Sequence, residues 1–197
     1  MIIDWYNHKI IVKIVYYGPA MSGKTTTIRG ILKKFGQEDV LQSLETTTGR
    51  TLFFDFGFIT KQNGDWTIMI NLWSATGQDY YIATRESVLK GVDGVIFVAD
   101  ASPNRIEHNK QSWGELQKFL LNDISNIPVV IALNKVDING AIDEKTLINA
   151  LKIDTKNHPI FKTIAKDGMN IMLPLKVILK EIFKLINTSN KTAKTKN

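Results

Sequence analysis

The fold is decided by residues 9–25, which read KIIVKIVYYGPAMSGKT. Lys9–Tyr17 is rich in β-branched and aromatic residues and predicts a strand. Residues 18–25 match the G-x-x-x-x-G-K-[ST] pattern of a phosphate-binding loop, and Lys24–Phe35 predicts the helix that follows. Because a helix N-terminus offers unpaired N–H groups and the positive end of a dipole, this order of elements predicts a phosphate site.

The residue types of this loop suit a nucleoside triphosphate. Gly18 and Gly23 let the backbone turn tightly and approach phosphate oxygens without an intervening Cβ. Lys24 supplies a cation for the β- and γ-phosphates, and the hydroxyl of Thr25 can ligate Mg²⁺. The residues expected to contact the nucleotide here are Gly18, Ala20, Met21, Ser22, Gly23, Lys24, Thr25 and Thr26. The loop by itself does not identify the base.

The remaining sequence alternates strands and helices. Thr51–Lys61 and Trp66–Trp73 flank Asn63-Gly64, a strong signal for a β-hairpin. Further strands are predicted over Val95–Asp100, Val129–Asn134 and Ile160–Ala165, and further helices over Arg105–Leu121, over Asp143–Leu151 and from Pro174. This order predicts an α/β fold of the three-layer P-loop NTPase type. We expect a six-stranded, mostly parallel sheet with one antiparallel hairpin strand, and helices on both faces.

Composition limits the possible functions. The 197 residues suffice for one domain, predicted over residues 1–187, with a disordered Lys/Thr/Asn-rich tail over residues 188–197. The net charge of +6 permits acidic partners, but no basic run is interleaved with aromatic residues, so nucleic acid is not an expected partner. The chain has no cysteine, which excludes thiolate chemistry and prenyl or palmitoyl anchors. With no signal peptide or lipid anchor recognised, we expect a cytoplasmic protein.

A second motif, Asn134-Lys135-Val136-Asp137, directly follows an apolar strand. The Asp137 carboxylate can accept two hydrogen bonds from guanine, at N1–H and the 2-amino group, whereas adenine would leave it unpaired. The stem of Lys135 can lie over the ring, and Asn134 can bridge to the phosphate loop. The motif therefore indicates a guanine nucleotide and argues against an ATPase or a metabolic nucleotide kinase.

Several further stretches carry a resemblance to a known family: KIVYYGP at residues 13–19, SGKTT at 22–26, RTLFFDF at 50–56, TGQ at 76–78, LKGVDG at 89–94 and FVAD at 97–100. With them the chain resembles the Ras-like small GTPase superfamily and, within it, the prokaryotic mutual gliding protein A (MglA) group. The resemblance covers about residues 5–187 and implies a molecular switch that binds GTP or GDP with Mg²⁺ and hydrolyses GTP.

The resemblance also implies residue roles. Thr51 would ligate Mg²⁺ and sense the γ-phosphate, and Arg50 would be an intrinsic arginine finger. Gln78 would orient the attacking water, and the N–H of Gly77 would contact the γ-phosphate.

At the last predicted strand, Thr163-Ile164-Ala165-Lys166 resembles the fifth box of GTPases, in which the alanine N–H meets guanine O6. Ala165 and Lys166 thereby join Asn134, Lys135 and Asp137 in the expected guanine site.

Two departures from the Ras-like pattern leave the activity open. The usual Asp-x-x-Gly reads Ser74-Ala-Thr-Gly77, so the aspartate that reaches Mg²⁺ through water is absent, as it also is in the MglA group. Ala20 and Met21 replace smaller loop residues and predict slow turnover. Two functions therefore remain: an active switch GTPase, and a nucleotide-binding pseudo-GTPase that acts as a scaffold.

The resemblance implies partners as well. They are downstream effectors and a dimeric, roadblock-fold GTPase-activating protein that binds over the switch segments. The residues expected to face such a partner are Phe53, Phe56, Tyr80, Tyr81 and Arg85.

Overall fold

A computed structural model describes the backbone of residues 1–45, 51–75, 82–123 and 127–194, and side chains over 1–42, 54–75, 85–120 and 127–184. Eight strands lie in the described backbone: β1 Ile2–Asp4, β2 Lys9–Tyr17, β3 Gln42–Glu45, β4 Thr51–Asn63, β5 Trp66–Ala75, β6 Gly94–Asp100, β7 Val129–Asn134 and β8 Ile160–Thr163. The α-helices in the same ranges are α1 Lys24–Lys34, α2 Ile82–Leu89, α3 Ile106–Asp123, α4 Glu144–Leu151 and α5 Met172–Lys194.

The strands form one mixed sheet in the order β3-β4-β5-β2-β6-β7-β8, with β1 paired to the start of β2. β5, β2, β6, β7 and β8 are parallel, and β4 is antiparallel to β5 through the hairpin that Asn63-Gly64 predicts. The α/β class and the mostly parallel sheet are thus confirmed. The predicted strand number of six was too low, because β1 and β3 have three and four residues and are too short to give a periodic pattern.

Each face of the sheet carries its own apolar core. Ile14 and Tyr16 of β2 pack on one face with residues of α1 and α5. Val15 and Tyr17 point to the other face and pack with residues of α2, α3 and α4. Successive strand residues alternate between faces, so a central strand covered on both sides reads as a continuous apolar run. This arrangement is the predicted three-layer architecture.

The last helix is longer than predicted at both ends. It begins at Met172, so Pro174 lies in its first turn, where the missing N–H costs no intrahelical bond. Its backbone continues to Lys194, into the segment predicted as a tail, and the boundary at residue 187 stays a prediction. Among the described residues, no helix combines the length and the apolar character needed to cross a membrane.

Candidate functional site

The phosphate-binding loop connects β2 to α1 at the carboxyl edge of the parallel strands. Gly18 and Gly23 have φ angles of 144° and 101°, a region that side chains rarely adopt. A Cβ on Gly18 would lie 2.3 Å from the carbonyl oxygen of Val98, and one on Gly23 would lie 2.2 Å from Nδ2 of Asn134. A side chain at either position would clash with neighbouring protein atoms, so both positions need glycine whether or not the loop holds a phosphate.

Lys24 lies beneath this loop and is only 6% exposed. Its Nζ donates hydrogen bonds to the carbonyl oxygens of Gly18 at 2.9 Å and Pro19 at 2.8 Å. Burial lowers the pKa of Lys24 to about 7, and the positive charge of Arg85 acts in the same direction. An ammonium group in this environment is stabilised by an anionic partner, and phosphate oxygens would supply one.

Asn134 joins three separate segments of the chain. Its Nδ2 donates to the carbonyl oxygen of Ser22 at 2.8 Å, which is the predicted bridge to the phosphate loop. Its Oδ1 accepts from the backbone N–H of Ala165 at 2.9 Å and from Oγ1 of Thr163 at 3.2 Å. The side chain is 2% exposed, so all of these bonds are shielded from water.

The backbone N–H of Ala165 donates to Oδ1 of Asn134. The contact of this N–H with guanine O6, which the resemblance implies, stays a prediction. Ala165 therefore contributes by holding Asn134 in place and by lining the cleft beside it.

A cleft of about 190 Å³ opens beside Asn134. Its lining combines the three segments singled out in the sequence: Met21, Gly23 and Thr26, then Asn134, Lys135 and Asp137, then Ala165 and Lys166. Ile138 and Ile164 complete the lining and were missed, because only their adjacency to motif residues marks them. Apolar side chains and charged groups around one cleft suit a planar base with a polar edge.

The charged residues of this cleft are paired. Nζ of Lys166 lies 2.6 Å from Oδ2 of Asp137, and this hydrogen bond is the main reason that the pKa of Asp137 falls below its usual value. Nζ of Lys135 donates to Oδ2 of Asp100 at 2.7 Å. Burial would raise the pKa of Asp100, but hydrogen bonds from Lys135 and Ser102 outweigh it and lower the pKa. Asp137 is therefore ionised at neutral pH, as acceptance of two guanine N–H groups requires.

An acidic residue that the sequence reasoning missed lies on the opposite side of the phosphate loop. Oδ2 of Asp55, in β4, accepts a hydrogen bond from Oγ1 of Thr25 at 2.5 Å. The residue is 0% exposed, which is unusual for a carboxylate and marks a paired or functional group. Its sequence signal is a single acid within the aromatic run Phe53-Phe54-Asp55-Phe56.

Most of the predicted switch residues lie outside the described residues. Thr51 begins β4, and its side chain lies outside the described residues, as do Arg50, Gly77 and Gln78 entirely. Thr25 and Thr51 therefore remain the predicted metal ligands, with Thr25 placed in the first turn of α1.

The predicted partner surface requires one correction. Arg85 is 4% exposed and forms an ion pair with Glu115 of α3, so it does not face a partner in this structure. Phe56 is half-buried and packs on Trp73, with ring centroids 4.6 Å apart. Phe54, which was not predicted, is 39% exposed. Tyr80 and Tyr81, together with the side chain of Phe53, lie outside the described residues.

Known proteins resemble this chain over nearly its whole length. A family model described as the ADP-ribosylation factor family matches residues 2–182. The Mutual gliding-motility protein MglA of Myxococcus xanthus (strain DK1622) is 38% identical over 90% of this chain and 93% of its own length. The Ras-related proteins Rab7 of Pisum sativum and RABG3d of Arabidopsis thaliana are 27% and 26% identical, each over 89% of this chain and 84% of the relative. These matches confirm the resemblance that the motifs indicate.

Proposed function

Since the chain belongs to the ADP-ribosylation factor family of small Ras-like GTPases, we propose that it is a molecular switch that binds GTP with Mg²⁺ and converts it slowly to GDP. The main observation that supports the proposal is the set of three hydrogen bonds made by the Asn134 side chain. They join the phosphate loop, the base motif and the turn after β8. A single nucleotide can then span from Lys24 to Asp137 along one edge of the sheet.

The residues of the phosphate loop suit Mg²⁺. Thr25 would hold the cation through its hydroxyl oxygen, and Thr51 is the second predicted ligand. The chemistry that bound Mg²⁺ would supply there is neutralisation of negative charge on the phosphates. Arg50 would add a cation from the chain itself, and Gln78 would position the attacking water.

Single-turnover hydrolysis of GTP by the purified chain, with and without Mg²⁺, tests the proposal. A Mg²⁺-dependent rate would establish the switch. Tight GTP binding with no turnover, even with a cognate activating protein, would favour the second candidate, a pseudo-GTPase that acts as a scaffold. Ser74 in place of the usual aspartate is the observation that favours this second function.

If Asp137 selects guanine, the chain should bind GTP more tightly than a nucleotide whose base lacks the 2-amino group. The 2-amino group of guanine is absent from inosine, so wild type should bind GTP about tenfold or more tightly than ITP, the expected value of one hydrogen bond to a charged group. Asp137→Asn should bind GTP more weakly and lose most of the preference over ITP, as measured by competition with a fluorescent nucleotide. The matched control is Lys166→Gln, which removes the ion pair but keeps the carboxylate. A preference that survives in Asp137→Asn would assign base recognition to another group.

The lowered pKa of Lys24 predicts that the affinity for GTP depends on pH. Its pKa of about 7 is lowered by burial, and phosphate oxygens would raise it on binding. Protonation then favours the complex, so GTP affinity should be highest below pH 7 and fall by up to about tenfold per pH unit above it. At pH 8, binding should take up close to one proton, measured by calorimetry in buffers of different ionisation enthalpy. Lys24→Arg keeps its charge throughout this range and should take up none. Equal proton uptake by both proteins would assign the proton to another group.

We also propose an MglA-like role in cell polarity, motility or signalling in the cytoplasm, controlled by a dimeric roadblock-fold activating protein and read by downstream effectors. The 38% identity to a protein named for gliding motility supports this role. Phe54 also supports it, since this exposed aromatic side chain lies on β4 close to the predicted switch residue Thr51.

A further inference from the structure

The phosphate loop contains a residue in a backbone conformation that its side chain disfavours. The N–H of Ser22 donates to the carbonyl oxygen of Pro19 at 3.3 Å, which closes a turn over residues 19–22. Met21, the third residue of this turn, has a φ of 63°. Left-handed backbone angles are routine for glycine but unfavourable for other residues, because their Cβ approaches the following carbonyl oxygen. Other contacts of the loop must therefore stabilise Met21 in this conformation.

The form of the turn depends on the orientation of one peptide group. Of its two central residues, Met21 has a positive φ and Ala20 does not, which is the pattern of a type II turn. The commoner type I turn differs by a rotation of the peptide between these two residues, and it gives the third residue a negative φ. Because a trans peptide points its C=O and its N–H in opposite directions, this rotation also reverses the N–H of Met21.

Arg105, which directly precedes α3, contacts this same peptide. Its Nη2 donates a hydrogen bond to the carbonyl oxygen of Ala20 at 2.8 Å. A hydrogen bond from a charged donor is stronger than one between neutral groups, and here it favours one of the two orientations of the peptide. The N–H of Met21 consequently points away from Arg105.

Asp100, the last residue of β6, holds the side chain of Arg105 in place. Nε of Arg105 lies 3.9 Å from Oδ2 of Asp100, and Asp100 is 1% exposed. The backbone N–H and the hydroxyl of Ser102 donate to the other oxygen, Oδ1, at 3.0 Å and 2.6 Å. Oδ2 also accepts from Nζ of Lys135, in the base motif. One buried carboxylate thus orients both the guanidinium beside the phosphate loop and the lysine of the base site.

We propose that Arg105 is a positioning residue for nucleotide binding: it holds the peptide between Ala20 and Met21 in the orientation that presents the Met21 N–H to a phosphate oxygen. This role rests on the proposed function, namely that the chain binds guanine nucleotide through this loop. The competing explanation is a structural bond that joins the start of α3 to the loop. The effect of losing such a bond would not depend on the residue at position 21.

Release of a fluorescent GDP from the full chain in millimolar Mg²⁺ separates these explanations. Arg105→Ala should release GDP about tenfold faster than wild type, the usual effect of losing one hydrogen bond from a charged donor. Met21→Gly removes the penalty of the left-handed conformation, since glycine adopts it readily. In the Met21→Gly background, Arg105→Ala should therefore speed release by only about threefold or less. Equal acceleration in the two backgrounds, or none in wild type, would overturn the proposal.

Lys110→Ala is the matched control for charge. Lys110 lies in α3, its side chain is 42% exposed, and it pairs with Glu107. Its removal takes away one positive charge and should leave GDP release unchanged. If Lys110→Ala released GDP as fast as Arg105→Ala, the lost charge and not the bond to Ala20 would set the rate, and the proposal would be overturned. A wild-type chain that retains no fluorescent GDP would instead overturn the proposed function, and the inference with it.

Two variants at position 21 keep the test decisive if Arg105→Ala does not fold, as judged by circular dichroism. Met21→Val and Met21→Asn introduce side chains of similar size, but a β-branched residue is an outlier at positive φ, whereas asparagine tolerates it. Met21→Val should therefore release GDP about tenfold faster than Met21→Asn. Equal release by the two variants would show that binding does not need the left-handed turn that Arg105 stabilises, and the proposal would fail.

Discussion

Replacing Gln78 by Leu is expected to lower the single-turnover rate of GTP hydrolysis by about 100-fold, the cost of losing the orientation of one reactant. The role assigned to Gln78 is to position the attacking water, and this contact is made on the way to the transition state. Nucleotide affinity should therefore stay close to wild type, because the phosphate loop and the base motif are untouched. The measurement is a single-turnover time course with a parallel titration of GTP affinity.

The matched comparison for Gln78→Leu is Arg50→Ala, which removes the predicted arginine finger. We expect its rate to fall by about tenfold or more, equivalent to about 1.4 kcal/mol in the barrier. Arg50→Lys should recover little, since a lysine lacks the planar, forked donor group of arginine. A Gln78→Leu protein that hydrolyses GTP at the wild-type rate would remove Gln78 from the mechanism.

Removing the side chain of Asn134 is the second change with a large expected effect. Asn134→Ala leaves the carbonyl of Ser22, the N–H of Ala165 and the hydroxyl of Thr163 without their partner. Since each unpaired buried group costs about 1 kcal/mol or more, GTP and GDP affinity should both fall by about 100-fold. The loss should affect both nucleotides equally, because Asn134 organises the loop and the base site rather than sensing the γ-phosphate.

Asn109→Ala is the control for Asn134→Ala. Asn109 is also fully buried and makes two hydrogen bonds, in its case to the backbone of Asp100. Both variants should lower the melting temperature by several degrees, since a loss of 1 kcal/mol shifts it by about 2–4 °C in a domain of this size. Only Asn134→Ala should show the large loss of nucleotide affinity. Equal losses in the two variants would mean that general destabilisation, and not the junction at Asn134, sets the affinity.

The predicted elements succeeded where the sequence pattern was long or bounded by a motif. β2 and β7 have the predicted limits, Lys9–Tyr17 and Val129–Asn134, because each is an apolar run that ends at a motif. The hairpin between β4 and β5 follows from Asn63-Gly64, where Gly64 adopts a φ of 59°. β1 and β3 escaped prediction, since segments this short depend on pairing with a neighbouring strand rather than on their own pattern.

The sequence by itself determined the phosphate loop, the guanine motif and their meeting at one edge of a mostly parallel sheet. Each of these depends on local residue order: glycines where the backbone turns, a lysine at a helix start, and an acid after an apolar strand. The bridge of Asn134 to the phosphate loop was predicted for the same reason, since parallel strands bring their carboxyl ends together.

Only the tertiary structure decided which charges meet. The contact of Asp55 with Thr25 and the burial of Arg85 against Glu115 each join residues 30 positions apart, and the pairing of Lys135 with Asp100 spans 35. Sequence spacing carries no information on such pairs, because strand register and helix packing set the distances between their side chains. The position of Asp55 opposite Ser74 could therefore be recognised only once β4 was seen paired with β5.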